Sequence, residues 1–526
     1  MLKDFSACSA SSAFKRRIFS QGVRAFHAGV HSCAALPVLL SLSGCHAAPR
    51  PAVAPSAASR PGAIGQLQHD IDAILAAPAL AHGYWGVLVK SLPRGDALYA
   101  LNAGKLMMPA SNMKIVTLTA AAERLGWEYT YETRVLGIGA IDLGVLDGDL
   151  LVVGSGDPSI VDWDGAAAQL LESCAERLKA MGVRAINGRI IGDDNAFDDD
   201  ELGFGWSWDD LPDGYAAGVS ALQFDENRVQ VTVEAGAAVG APATVTLSPD
   251  GSGLVIRNLL KTAAPGAAAS IETRRLPGST LLELRGSVPL GSGPAIHTAS
   301  VDNPTLFFVT ALRRFLMAHG IEVRGAAVDI DDVTNAPSRE NAVVLVTYRS
   351  PPLANLAMRL MKMSQNLYAE TLLKTMGAAA GRPTAEGGRD ATRSTLERWG
   401  MQPTGLIQVD GSGLSRYNFV TPETLVTILT LVDRDERLRA PFEAALPIAG
   451  RDGTLAGRML GTAAEGNARA KTGSMANVRA ASGYVQTADG EAVVFSIMAN
   501  NFDATPDVIT QAADAIIVRL AGFSRR

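Results

Sequence analysis

Cysteine, histidine and net positive charge are all scarce in this chain of 526 residues. Of four cysteines, Cys8, Cys33 and Cys45 fall within the first 45 residues. Cys174 stands alone in the rest, so no disulfide can close inside the body. The seven histidines are His27, His31, His46, His69, His82, His297 and His319. Three of them sit in or beside the amino-terminal leader. Too few remain for a histidine metal cluster or a histidine-based triad. The net charge of −6 excludes the basic footprint of a nucleic-acid binder. No later run reaches the ~18 apolar residues of a membrane span. Aromatics are only 6%, yet hydrophobic residues make up 47% and charged residues 19%. That balance excludes a disordered or collagen-like chain. The length exceeds the roughly 100–200 residues of one domain.

The leader carries an address. Lys15, Arg16, Arg17 and Arg24 precede an apolar stretch from Cys33 to Leu42. At about 10 residues it is too short to span a bilayer and suits a signal-peptide core. It ends in Leu42-Ser43-Gly44-Cys45, which resembles the bacterial lipobox. The resemblance implies a mature protein that starts at a diacylated Cys45, its only link to a membrane. His46 stands where an inner-membrane retention signal usually has Asp, which favours a periplasmic protein attached to the outer membrane. An ordinary signal peptide cut near Ala47 or Ala48 is the alternative. Residues 46–63, with Pro49, Pro51, Pro55 and Pro61 among Ala and Ser, read as a tether without a core.

The body has an α/β beginning and end around a strand-rich middle. Leu67, Ile71, Ile74 and Leu75 predict an amphipathic helix over Ile64–Leu80. Tyr84–Leu92 and Ala97–Leu101 predict strands about the turn Pro93-Arg94-Gly95-Asp96. Ser111–Leu125 predicts a helix with Ser111 as N-cap and Gly126 as stop. In the middle, Val229, Val231 and Val233 alternate with polar residues, as a half-buried strand does. The acid-rich run Asp193–Asp210 reads as a solvated loop. Helices return at Asn303–His319, Pro352–Met363, Leu367–Met376, Thr384–Trp399 and Pro422–Leu431. Strands at Ala481–Gln486 and Ala492–Ala499, joined by a tight turn, precede a closing helix over Pro506–Leu520.

Three short motifs carry chemistry. Ser111-Asn112-Met113-Lys114 puts a hydroxyl and an amine one helical turn apart on one face. A serine hydroxyl becomes a nucleophile when a base takes its proton, and a lysine serves once its pKa is lowered. The pattern alone carries little, because Ser12-Ala13-Phe14-Lys15 repeats it in the leader. Ser364-Gln365-Asn366 lies between two predicted helices and offers a proton-relaying hydroxyl and a substrate-holding amide. Lys471-Thr472-Gly473 opens a predicted strand; its Lys and Thr suit a carboxylate and its Gly a close backbone approach. The ordered set of Ser-x-x-Lys, Ser-x-Asn and Lys-Thr-Gly is that of penicillin-binding proteins, and class A β-lactamases carry a close variant.

With these motifs stand Gly154-Ser155-Gly156-Asp157-Pro158, Val409-Asp410-Gly411-Ser412-Gly413-Leu414-Ser415-Arg416, Ala449-Gly450-Arg451-Asp452-Gly453-Thr454-Leu455 and Ala470 through Ser474. Over residues 64–524 the chain resembles the penicillin-binding protein 4 type of D-alanyl-D-alanine carboxypeptidase/endopeptidase. Ser111 and Ser364 stand 253 positions apart, which fits that family and leaves too much chain for a class A β-lactamase. The resemblance implies an α/β penicillin-binding-protein fold: an antiparallel sheet flanked by helices, a helical subdomain and inserted, mostly β domains. Behind the signal peptide of 1–45 and the tether of 46–63, it implies a discontinuous catalytic domain over 64–130 and 329–526. The inserted domain II would cover 131–225 and 292–328, and domain III 226–291. It implies Ser111 as nucleophile, Lys114 as base, Ser364 and Asn366 as the second motif, and Lys471, Thr472 and Gly473 at the substrate carboxylate. Backbone N–H groups of Ser111 and Ser474 would form the oxyanion hole. Arg416 matches a position near the peptide side chain, and Asp193 one that reads the free end of diaminopimelate. The implied partners are peptidoglycan stem peptides and β-lactam antibiotics, with no metal or cofactor. A β-lactamase or esterase of the same superfamily, or a non-catalytic peptidoglycan-binding lipoprotein, are the competing readings.

Overall fold

Alternation and capping place the first layer. A computed structural model describes residues 62–526; the signal peptide, Cys45 and most of the tether lie outside the described residues. Five antiparallel strands form one sheet in the order Arg469–Met475, Val478–Gln486, Ala492–Asn500, Tyr84–Ser91, Ala97–Leu101. The two chain ends thus share a sheet. One face is covered by the helices Ala63–Leu75 and Pro506–Ala521, which bury Leu67, Ile71, Ile509, Ile516 and Ile517. Pro78 starts a separate short turn, so the first helix stops before the expected Leu80.

The other face carries a helical layer built around Met113–Leu125, with Leu353–Lys362, Asn366–Ala379 and Pro422–Arg434 packed on it. Thr421 caps the last of these by accepting from the Thr424 N–H, with Pro422 at its first position. Every residue of Met113–Leu125 from Met113 to Ala122 is buried, polar ones included. Each fully buried aliphatic side chain contributes roughly 1.5–3 kcal/mol. Burial of this kind fixes the helix that carries Lys114.

The insertion leaves and re-enters side by side. The Ser350 N–H donates to the Tyr131 carbonyl, Leu353 to Tyr129 and Ala354 to Trp127. Between the crossings lies a seven-stranded mixed sheet backed by the helices Ala166–Ala180 and Pro304–Ala318. Two three-stranded sheets complete it. Val229, Val231 and Val233 are fully buried, as their alternation predicts. Two expected borders move. Strand Val343–Arg349 pairs with Glu132–Asp142, so the chain returns to the catalytic layers after residue 349 and not at 329. Strand Ala295–Ser300 pairs with Arg228–Glu234, so a border between 291 and 292 would cut a sheet. Both β regions also feed one hydrophobic core.

A buried acid fastens the insertion to the helices. Asp225, Glu226 and Asn227 run consecutively with φ of 48°, 56° and 54°, left-handed backbone that costs strain in non-glycine residues. This turn buries the Glu226 side chain to 1% exposure between Arg228 of the insertion and Arg359 of the helical layer. Trp163 stacks on the Arg359 guanidinium at 4.1 Å. Glu226→Ala is expected to cost about 2–4 kcal/mol, at or just below the usual cost of breaking a buried pair because both arginines keep some water. Denaturant unfolding checks this, and a parental midpoint would remove the fastening role.

Candidate active site

The nucleophile turn differs from its expected form. Ser111 does not cap the helix. It sits in a 3-10 turn over Ala110–Asn112, and Met113–Leu125 starts after it with no side-chain cap. Gly126 stops the helix as expected, its N–H donating to the Ala122 carbonyl. Because Ser111 is not used as a cap, its hydroxyl is free to face Lys114. Ala110 before it has φ of 45°, and Ser364 of the second motif has φ of 60°. Both motif serines are therefore presented from strained backbone, as functional residues often are.

Lys114 is fully buried. Its Nζ lies 2.9 Å from Ser111 Oγ, 2.6 Å from Asn366 Oδ1 and 2.9 Å from the Ser412 carbonyl. The Asn366 amide is oriented by its Nδ2, which donates to the Tyr215 carbonyl at 2.8 Å. Two of the three neighbours of Nζ can only accept. A neutral amine has two N–H bonds, which satisfy them, and its lone pair then faces the Ser111 O–H. Burial lowers the Lys114 pKa to about 7, opposed by the carboxylates of Glu370 and Asp410.

The third motif closes the group. Lys471 is fully buried on the strand Arg469–Met475. Its Nζ donates to Ser364 Oγ at 2.8 Å and to the Thr472 carbonyl at 2.7 Å. Burial, and then the neighbouring Lys114, hold its pKa well below the usual lysine value. Thr472 Oγ1 donates to Thr454 Oγ1 at 2.7 Å. Ser474 is exposed beside it. The close approach that Gly473 permits is to the nucleophile turn: a Cβ there would stand 2.6 Å from the Pro109 carbonyl and 3.1 Å from the Ser111 nitrogen.

The outlying residues divide. Arg416 is exposed and donates to the Ala476 carbonyl at 3.0 Å, just past the Lys-Thr-Gly strand. Asp193 makes no hydrogen bond or ion pair with a motif residue among the described residues. It is 2% exposed at the end of strand Ile190–Asp193, ion-paired with Arg339 and accepting from Asn195. The acid-rich loop after it is not merely solvated either. It meets the helical layer through Lys374 on Asp198 and Trp206 on Asp410, and the turn just past it puts the Tyr215 carbonyl on Asn366.

Four contributors escaped the sequence reading: the Ser412 carbonyl, Thr454, Glu370 and Asn112. The first two lie in stretches that carried the resemblance. Glu370 stands four positions after Asn366, a helical spacing that would have flagged it. Asn112 is buried and donates to Ser482 Oγ at 2.8 Å, tying the nucleophile turn to the sheet. Among the described residues, Asp194, Asp329 and Asp331 bring carboxylates within 4.8 Å of one another. Asp194 already accepts from Ser220 and Thr305, and Asp329 from Asn303.

The chain matches the D-Ala-D-Ala carboxypeptidase 3 (S13) family over residues 67–522. It belongs to that family. It is similar to the D-alanyl-D-alanine carboxypeptidase of Actinomadura sp. (strain R39), 35% identical over 486 residues, covering 90% of this chain and 87% of that one. D-alanyl-D-alanine carboxypeptidase DacB of Haemophilus influenzae is 28% identical over 444 residues, covering 82% and 88%. The crystal structure of penicillin binding protein 4 (dacB) from Haemophilus influenzae superposes with a TM-score of 0.72 at 27% identity, covering 87% of this chain and 97% of that one. The same protein complexed with a β-lactam gives a TM-score of 0.67. The expected fold class and the penicillin-binding protein 4 resemblance both hold.

In this S13 chain Gly473→Ala is expected to cost about 1–3 kcal/mol, since the new Cβ forces strand and nucleophile turn apart. Chemical denaturation measures it. An unshifted midpoint would mean that the turn yields without resistance.

Proposed function

We propose that the chain hydrolyses the D-alanyl-D-alanine bond of peptidoglycan stem peptides through an acyl-enzyme on Ser111. The observation that carries this reading is the position of the buried Lys114 amine, aimed at the Ser111 hydroxyl by two acceptors on its other sides. In the first step the Ser111 proton passes to Lys114 Nζ as Oγ bonds to the carbonyl carbon between the two D-alanines. The oxyanion meets the N–H groups of Ser111 and Ser474. The C–N bond then breaks as the leaving amine takes, by way of Ser364 with Lys471 behind it, the proton that Lys114 had accepted, which returns Lys114 to its neutral form. Water attacks the ester, its proton returning through Lys114, and the C–Oγ bond breaks to free the shortened peptide and Ser111. The terminal carboxylate sits at Thr472 and restores charge to Lys471 by pairing with it. To Arg416 we assign the peptide side chain, on its exposure just past the Lys-Thr-Gly strand.

The same chemistry cuts a D,D cross-link when the leaving amine belongs to a second stem, so endopeptidase action is part of the proposal. A β-lactam enters as the acyl donor, and its ring-opened leaving group stays tethered, so the adduct lingers. Cys45 as a lipid anchor, with a periplasmic, outer-membrane address, rests on the Leu42–Cys45 string.

Muropeptides incubated with the protein are expected to lose one alanine or one cross-link by mass spectrometry, and penicillin should block both. A fluorescent penicillin should label the protein and fail to label Ser111→Ala. Equal labelling of both proteins would end the reading. The pH dependence has a definite sign. The neutral Lys114 amine exists above its pKa of about 7 and is lost as pH falls through it. Acylation should therefore rise from about pH 6 and level off near about pH 8. A rate that is flat across that window would point to another base.

A further inference from the structure

Glu370 is not among the motif residues, yet it is 5% exposed and lies directly behind them. Its two carboxylate oxygens accept separately from the backbone of one loop, Gly411 N–H at 2.9 Å and Ser412 N–H at 2.7 Å. The carbonyl of that same Ser412 is one of the two acceptors that orient Lys114. The other acceptor, Asn366 Oδ1, projects from the same helix one turn earlier, at i and i+4. One helix face therefore holds both acceptors of the amine, one directly and one through a peptide unit.

We propose that Glu370 is a positioning residue for the reaction: it fixes the Ser412 carbonyl against Lys114 and sets, by its charge, the pH at which that amine becomes a base. The proposal rests on the reading of Lys114 as the base.

The surroundings support both halves. Asp410 holds the rest of the loop, accepting from Gly413 and Ser415 N–H groups, Asn418 Nδ2 and Trp206 Nε1. Glu370 is thus the sole side-chain clamp given for the Gly411 and Ser412 N–H groups among the described residues. Burial pushes the Glu370 carboxyl up to about 7, with Asp410 adding to the rise and the Ser412 hydroxyl and then the loop N–H groups opposing it. Toward the site it faces Lys114 and Asp410, with the Lys471 amine beyond them. Its other side lines a cavity of about 500 Å³ with Lys374, Glu201 and Arg389. Lys374 is already paired with Asp198, and Arg382 and Glu386 in the same cavity are paired with each other. Arg389 donates to the Val409 carbonyl, and Lys114 is the amine that the loop held by Glu370 contacts directly.

The test compares Glu370→Gln and Glu370→Asp, following penicillin acylation against pH. Gln keeps the volume but loses the charge and one acceptor. Its acylation plateau should fall about 10- to 100-fold, part of what a general base supplies. Its acid limb should move down by up to about 1 pH unit, because the amine loses a neighbour that is partly ionised across that window. Asp keeps the charge but reaches less far, so its plateau should fall while its limb stays near the parental pH. A Gln variant with parental plateau and limb overturns the proposal. So does an equal loss in both variants with neither limb moved, which is what a purely structural role gives. Should the Gln variant not fold, an Asp plateau within about twofold of the parent would overturn it, and a larger loss at an unmoved limb would support it. Lys114→Ala runs alongside. If it still acylates at the parental rate, the base assignment itself falls. If it loses about 100-fold or more while Glu370→Gln behaves as the parent, only the role of Glu370 falls.

Discussion

A charged amine is costly to bury and a neutral one is not, and Lys114 is buried completely. The cost of desolvating an ammonium lowers the pKa into the range where a base works. Everything else at the site manages that one penalty. The carboxylates of Glu370 and Asp410 reduce it, so the amine is neither permanently neutral nor permanently charged. The acceptors Asn366 Oδ1 and Ser412 O settle which way its lone pair points. Lys471, with no carboxylate ion pair among the described residues, is pushed well down in the same direction by burial and by Lys114, and in the proposed reaction regains charge when the substrate carboxylate arrives.

This arrangement needs parts from distant stretches of chain, and the fold supplies them through strain and close contact. Ala110 and Ser364 adopt left-handed backbone to present the two motif serines. Gly413 goes further: a Cβ there would stand 1.8 Å from the Ala110 carbonyl, at a φ of 88°. Gly473 allows the Lys-Thr-Gly strand to lie on the same turn from the opposite side. The nucleophile turn is thus held between two glycines, with Asn112 bonded to Ser482 in the sheet below. Such contacts fix the distance from Ser111 to both lysines more tightly than helix spacing alone would.

Much of this was legible in the sequence. The three motifs, their order and the long gap between them named the site, because each string implies its own local element. Strong periodicity found most helices and the central strands; Val229, Val231 and Val233 are the clearest case. The helix Ala166–Ala180 was missed because alanines dilute its apolar stripe of Leu170, Leu171, Cys174 and Leu178. Glu436–Ala445 was missed because Pro441 interrupts it. The N-cap at Ser111 failed because a 3-10 turn precedes the helix there. Pairing across the insertion was invisible, since partners such as Val343–Arg349 and Glu132–Asp142 lie far apart in the chain. Glu370 was overlooked because its role is indirect: its spacing from Asn366 puts it on the motif face of the helix, but the backbone it holds lies about 40 positions away in the chain.

The acid-rich loop has a bearing on how small such an enzyme can become. Its Trp206 indole steadies Asp410, and the Tyr215 carbonyl just past it steadies Asn366. Cutting out 131–349 and splicing the remaining halves would spare the motif serine-lysine pair and every other motif residue. It would also strip away both outer braces of the amine cradle. Any miniaturised version must therefore bring a surrogate for that loop, and the insertion belongs to the catalytic apparatus as much as to the molecule's periphery.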